Sequence, residues 1–398
     1  MLAGVRVLDL SGEALAYAGR TFADLGADVI LVEQPGGSPA RRVPPIAHIA
    51  GADVSAHFAF VAAGKRSIVV DREHPRGRDV FDQLVDASDV ALVHEDTGRH
   101  RAEGIDAATL RTRNERLVVA CVSAFGSSGP RHHWRGSDLV AWAASGAALQ
   151  MGDADRPPVA PGGNLADTAG ALNAAMGTML ALRVRQRTGR GQDVDVSQQE
   201  AVMSVAMEAG PIHSLEGAVQ RRTGARRTGA WGLFPVQDGM VEIVPALAQQ
   251  WDALAAWMAE VLGVVEITSE TFRGSTLDRM PYDELIRTWT MDLCSRYTKQ
   301  EFFLEAQRRH IPCGPVNNAA DLLEDPQLAA VGAWVDVAHP DTGTVRLPRG
   351  PVRFDGEAIT VGPVPGPGEH TDDVLRSVLE MGEDAVAALH ACGAVHSS

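Results

Sequence analysis

The chain has 398 residues, 45% hydrophobic and 22% charged, a balance that belongs to a globular protein large enough for more than one domain. Its 36 basic and 51 acidic residues leave a formal charge of −15, which argues against non-specific binding to nucleic acid or to an anionic membrane surface. No apolar run reaches the about 18 residues of a membrane span, Arg6 and Asp9 interrupt the stretch where a signal peptide would lie, and four dispersed cysteines form no paired spacing, so a cytoplasmic protein is expected.

The amino-terminal part alternates strand and helix signals. GVRVLDL (4–10), DVILVEQP (28–35), RSIVVD (66–71), DVALVH (89–94) and RLVVACVSAFG (116–126) read as strands. ALAYAGRTFADLGA (14–27), ending at Gly26, and PRGRDVFDQLVDAS (75–88) read as helices. Strands joined by single helices predict a parallel, Rossmann-like sheet with right-handed crossovers. The first strand-to-helix turn, SGEAL, carries one glycine where a dinucleotide site would need GxGxxG, so no such site is expected. From 136 to 208 the text is small and helical, and RTGRGQDVDVS (187–197) reads as a helix end, a glycine turn and a short strand. VQRRTGARRTGA (219–230) carries four arginines and reads as an exposed loop, either solvated or near an anionic ligand. GLFPVQDGMVEIV (232–244) reads as a hairpin turning at QDG, and 250–310 as amphipathic helices of a second domain. In the tail, IPCGPV, GTVRLPRGPVRF and DAVAALHACGAV read as β-like around a helix that starts near Thr371. The tail is expected to return to the first domain. The boundaries are 1–210 for the first part of the large domain, 211–225 for a linker, 226–320 for the small domain and 321–398 for the returning segment.

Several chemistries find little support. His132 and His133 are adjacent, so their side chains diverge and make a poor joint metal site; no metal is expected. No GxSxG is present, and Cys313, in IPCGPV, reads as a structural thiol in a turn. Asp167, in GGNLADTAGALNAAMG, is different. A carboxylate at the start of an alanine-rich helix is explained by capping alone. The glycines at 162, 163, 170 and 177 would also let a ligand or backbone come close, as a nucleophilic carboxylate requires. The residue types leave both readings open.

An ordered set of segments resembles the family III CoA-transferases, a group that includes formyl-CoA transferase, carnitine CoA-transferase and the acyl-CoA racemases. The set runs through GVRVLDL, FADLGADVILVEQPGG, AGKRSIVVD, DVALV, NERLVVACVSAFGSSGP, GSDLVAWAASG and RPPVAPGGNLADTAG, then RQRTGRGQDVDVSQQEAV, GLFPVQDG, IPCGPVNNAADLLEDPQLAAVG and PGEHTDDVLRSVL. The resemblance implies an α/β fold with a Rossmann-like large domain built from both chain ends and a small α+β domain. It implies an interlocked, ring-like homodimer with the active site between domains of the two chains. It implies coenzyme A as a substrate thioester, with an acyl-CoA and a carboxylic acid as partners. Asp167 occupies the position of the nucleophile, which would form aspartyl mixed anhydrides. Lys65 and Arg66 match a Lys-Arg pair that lies along the nucleotide, with Gln34 and His94 among the CoA contacts. Arg99 or Arg101 would take the family's phosphate-binding arginine role. The family's racemases place a histidine and a glutamate where this chain has Ser137 and Ala248, so a transferase is expected. A racemase or isomerase on the same fold, or a non-catalytic acyl-CoA-binding homologue, are the alternatives.

Overall fold

The computed structural model describes residues 1–12, 14–49, 51–94, 103–206, 208–222, 224 and 226–397. In chain order, the elements that position the site are strand β1 (Arg6–Leu10), helix α1 (Ala16–Asp24), β2 (Asp28–Glu33), β3 (Arg66–Val70), α2 (Pro75–Asp86), β4 (Val90–His94) and β5 (Val118–Ser123). They continue with α3 (Asp138–Ala144), α4 (Leu165–Thr188), β6 (Asp193–Ser197) and α5 (Gln198–Ala206). The chain divides into two compact units. One comprises 1–148, 160–217 and 327–398; the other comprises 149–159 and 218–326.

The larger unit is a mixed α/β structure around a seven-stranded sheet. Its order is the carboxyl-terminal strand Val395–His396, then β3, β2, β1, β4, β5 and β6. Every neighbouring pair is parallel except the terminal strand, which runs antiparallel to β3 with Val395 opposite Val70. All of β5 is buried, so it reads as a continuous apolar run and not as an alternation. The chain leaves the sheet centre in opposite directions from β1 and β4. In an open sheet of this order, that switch point opens a crevice at the carboxyl ends of the strands.

Helix α4 is the longest in the unit, 24 residues, and ends where Gly189 turns left-handed at φ 74° and donates its N–H to Arg185. Its small residues Gly170, Ala171, Ala174, Ala175, Thr178 and Ala181 are buried facing the sheet. The opposite face carries Leu172, Met176 and Leu180, which are 47%, 55% and 62% exposed. The tail corrects one expectation. DAVAALHACGAV is not β-like: Glu383–Ala391 is a helix, and only Val395–His396 is a strand. Val386 and Leu389 sit three residues apart on one buried face, and the alanines between favour helix.

The smaller unit has a four-stranded antiparallel sheet. Within it, Trp231–Val236 and Gly239–Ile243 form the expected hairpin, with Val236 opposite Gly239. Phe234, Trp251 and Trp257 anchor its core. The arginine-rich loop is partly structural. Arg222 donates to the carbonyls of Asp153 at 3.1 Å and Arg156 at 2.8 Å, which binds 149–159 to this unit.

Candidate active site

Asp167 lies in the first turn of α4, but it is not the cap. Asn164 holds the cap position without a side-chain bond. Capping comes from another helix: Asp138 Oδ1, on the first residue of α3, accepts the backbone N–H groups of Ala166 at 2.7 Å and Asp167 at 3.0 Å. Two orphan donors of α4 are thereby satisfied from outside. The Asp167 carboxylate instead accepts the side-chain amide of Gln198, Nε2 to Oδ1, at 2.5 Å. Gln198 is the first residue of α5 and is 2% exposed.

The glycines around Asp167 have separate jobs. Gly163 needs its positive φ of 78° in the loop before α4, and a Cβ there would meet nothing within 4 Å. At Gly170 a Cβ would stand 3.2 Å from Gln198 Cγ and from Val122; at Gly177 it would stand 2.7 Å from Val194. These two glycines seat α4 on β5, β6 and α5. They do not make room for a ligand.

Asp167 and Gln198 open on a cleft of about 500 Å³ that runs along the carboxyl ends of the sheet. Leu10 and Ser11 bring the end of β1 to it, Glu33 and Gln34 the end of β2, and His94 the end of β4. Arg72, just past β3, lines the cleft with Glu103, its ion-pair partner at 3.2 Å. With the Gln34 amide oriented oxygen-first to the guanidinium, its oxygen accepts Arg72 Nε at 2.5 Å and its nitrogen donates to the Val70 carbonyl at 3.2 Å. Glu33 is buried beneath, bidentate to Arg41 at 2.7 and 2.8 Å and accepting the Ser38 N–H at 2.6 Å.

The expected site residues are only partly gathered. Asp167, Gln34 and His94 share the cleft. Lys65 does not line it. It is 3% exposed, and its ammonium lies between Asp9 Oδ2 at 2.6 Å and the Ala16 carbonyl at 2.8 Å. Arg66 is also elsewhere. It begins β3, at the edge of the sheet opposite the cleft, where it pairs with Asp28 at 2.7 Å and Asp373 at 2.9 Å. Arg99 and Arg101 fall outside the described residues. Arg72, Gln198 and the remote cap Asp138 were not foreseen. Asp138 and Gln198 stand in quoted segments, GSDLVAWAASG and DVSQQEAV, but only long-range packing brings them to Asp167. Ser137 lines the cleft and Ala248 begins a helix of the smaller unit; neither is an acid or base.

Other candidates are quiet. Burial pushes the Cys313 thiol up to about 12, so almost none of it is thiolate at neutral pH. His132 and His133 are exposed, with ring centres 5.1 Å apart. Among the described residues, no three His, Cys, Asp or Glu side chains are grouped to hold a metal. No helix among them is long and apolar enough to cross a membrane.

Comparison with known proteins points one way. The profile of a family described as CoA-transferase family III matches residues 2–371. The chain is 34% identical to the succinyl-CoA:(R)-benzylsuccinate CoA-transferase subunit BbsE of Thauera aromatica, over 93% of this chain and 92% of that one. It is 29% identical to the succinyl-CoA–D-citramalate CoA-transferase of Chloroflexus aurantiacus, over 97% and 96% of the two chains. Among solved structures, a CAIB/BAIF family protein from Brucella suis superimposes with a TM-score of 0.85 at 26% identity, covering 95% of this chain and 99% of that one.

Proposed function

The chain belongs to CoA-transferase family III, and from that premise we propose that it moves CoA from an acyl-CoA to a carboxylic acid with Asp167 as the nucleophile. One observation carries the assignment of the residue. Asp167 stands in the first turn of a helix that Asp138 already caps, and its carboxylate faces the cleft at the sheet's switch point. Its carboxylate is therefore not occupied in capping α4, which supports a chemical role.

The chemistry is balanced without ATP, because one thioester is exchanged for another. An Asp167 oxygen adds to the thioester carbonyl, the C–S bond breaks, and CoA thiolate leaves a mixed anhydride on the enzyme. The thiolate then adds to the aspartyl carbonyl and expels the donor carboxylate, leaving an aspartyl thioester of CoA. The acceptor carboxylate displaces the thiolate to form a second anhydride. The thiolate finally adds to the acceptor's carbonyl, which releases the new acyl-CoA and the free Asp167 carboxylate. Along the cleft, Arg72 offers a cation to the CoA phosphates, and Gln34 and His94 polar contacts to the rest of the cofactor. Succinyl-CoA is the donor to try first, since both named relatives are succinyl-CoA transferases.

A racemase reading is disfavoured by Ser137 and Ala248, which supply no opposed acid and base across an α-carbon. The reading brings with it an interlocked homodimer, supported by the apolar face of α4, and a cytoplasmic location, supported by four free cysteines. Transfer from succinyl-CoA to a panel of dicarboxylic acids is the test. Asp167→Asn, which keeps the shape and removes the nucleophile, is expected to lower kcat by at least about 10³-fold with CoA binding retained. A variant within about tenfold of the parent would contradict the assignment.

A further inference from the structure

We propose that Gln198 is a catalytic residue: its side-chain amide stabilises the oxyanion that forms on Asp167 Oδ1 when Asp167 is itself the acyl centre. The inference rests on the reading of Asp167 as the nucleophile. It concerns the opposite half of that residue's role, as the electrophile under attack.

The geometry is specific. Gln198 Nε2 donates to Asp167 Oδ1 at 2.5 Å, and both residues face the cleft. The amide is held in place from two sides. Gln198 starts α5 directly after β6, and its Cγ packs where a Cβ at residue 170 would stand 3.2 Å away. Buried to 2% exposure, the donor has no reorganisation to undergo as charge develops.

The atoms follow from this placement. In this scheme Oδ2 is the oxygen that attacks the thioester and Oδ1 stays on Gln198. After CoA thiolate leaves, Oδ2 bridges the anhydride and Oδ1 is its aspartyl carbonyl oxygen, still on Gln198. The thiolate adds to Cγ, and the carbonyl electron pair moves onto Oδ1. Collapse of that intermediate breaks Cγ–Oδ2, and the donor acid leaves carrying Oδ2. The acceptor carboxylate adds to Cγ in the same way, again charging Oδ1, and expels the thiolate. In the free carboxylate Oδ1 shares one charge with Oδ2; in both Cγ intermediates it bears a full one. The Gln198 bond therefore strengthens toward those transition states, which is what accelerates a step.

This route exchanges an oxygen of Asp167 with the acid in each turnover, and that is the readout. The wild-type protein is incubated with succinyl-CoA and heavy-oxygen-labelled succinate, and the Asp167 peptide is weighed over time. Label is expected at Asp167 in the parent. Gln198→Met, close in size but without a donor, is expected to slow labelling and succinate exchange by about 10²–10³-fold, with CoA affinity and unfolding temperature retained. Labelling in Q198M within about threefold of the parent overturns the role of Gln198. Should Q198M fail to fold, Q198E carries the prediction with a further signature. Relative to the parent at each pH, its exchange is lost near pH 8 and recovers toward about pH 6, where a proton shared between the two carboxylates restores a donor. A flat ratio overturns the proposal. The two readings fail differently: an unlabelled Asp167 in the parent with exchange surviving in D167N removes the nucleophile itself, whereas a labelled Asp167 in the parent with Q198M unimpaired removes Gln198 alone.

Discussion

Beneath α1, the Asp9 carboxylate and the Lys65 ammonium lie 2.6 Å apart, both essentially sealed from solvent. Asp9 also accepts the backbone N–H of Ser11 at 3.0 Å, and the Lys65 ammonium donates to the Ala16 carbonyl at 2.8 Å. Gly19 makes the space, since a Cβ there would come 2.3 Å from Asp9 Oδ2. Removing one charge of such a pair leaves the other buried and uncompensated, at a cost of about 3–5 kcal/mol. Lys65→Met is therefore expected to lose that much stability in urea unfolding, while Lys65→Met combined with Asp9→Leu regains a large part; equal losses for both would contradict the account. The same pair shows what sequence alone conceals. The family resemblance sets Lys65 along the nucleotide, and nothing local reveals that residue 9 lies against it. Asp167 was legible as unusual from its neighbours, but its hydrogen-bond partner, 31 positions on, was not.

Helix α4 shows which element-level features were readable. Its left-handed end at Gly189, the following strand β6 and the hairpin at Gln237–Asp238 all follow from local glycine and turn chemistry, and all are present. The carboxyl-terminal helix reads as β-like in sequence because short apolar runs fit strand and helix alike. The function of the α4 glycines was also hidden, because small residues near an active-site candidate suggest room for a ligand. Packing decides instead: Gly177 lets α4 settle on Val194 of β6. Gly177→Val would force its Cβ to 2.7 Å from Val194 Cγ1, and is expected to destabilise the larger unit by about 1–3 kcal/mol. The check is a lower urea midpoint at an unchanged slope; a variant as stable as the parent would mean that α4 is free to shift.

At the scale of the molecule, βαβ alternation predicted a parallel sheet, but the order that places β1 beside β4 depends on pairings distant in sequence. That order sets the cleft, and the cleft gathers residues from the ends of four strands. The α4 face of Leu172, Met176 and Leu180 is exposed and apolar, the kind of surface a second chain could cover. The proposed homodimer would cover it. Sedimentation is expected near twice 42.2 kDa, and Leu172→Glu with Leu180→Glu is expected to shift the protein toward monomer. A parent that sediments as a stable monomer would exclude that assembly. An acylated Asp167 can be trapped and weighed. The protein is mixed with succinyl-CoA, quenched with hydroxylamine and digested, and the peptide spanning 162–183 is weighed. A hydroxamate is expected on Asp167 that appears only with the thioester and is absent in Asp167→Asn. A hydroxamate on another residue, or none while transfer proceeds, would contradict it.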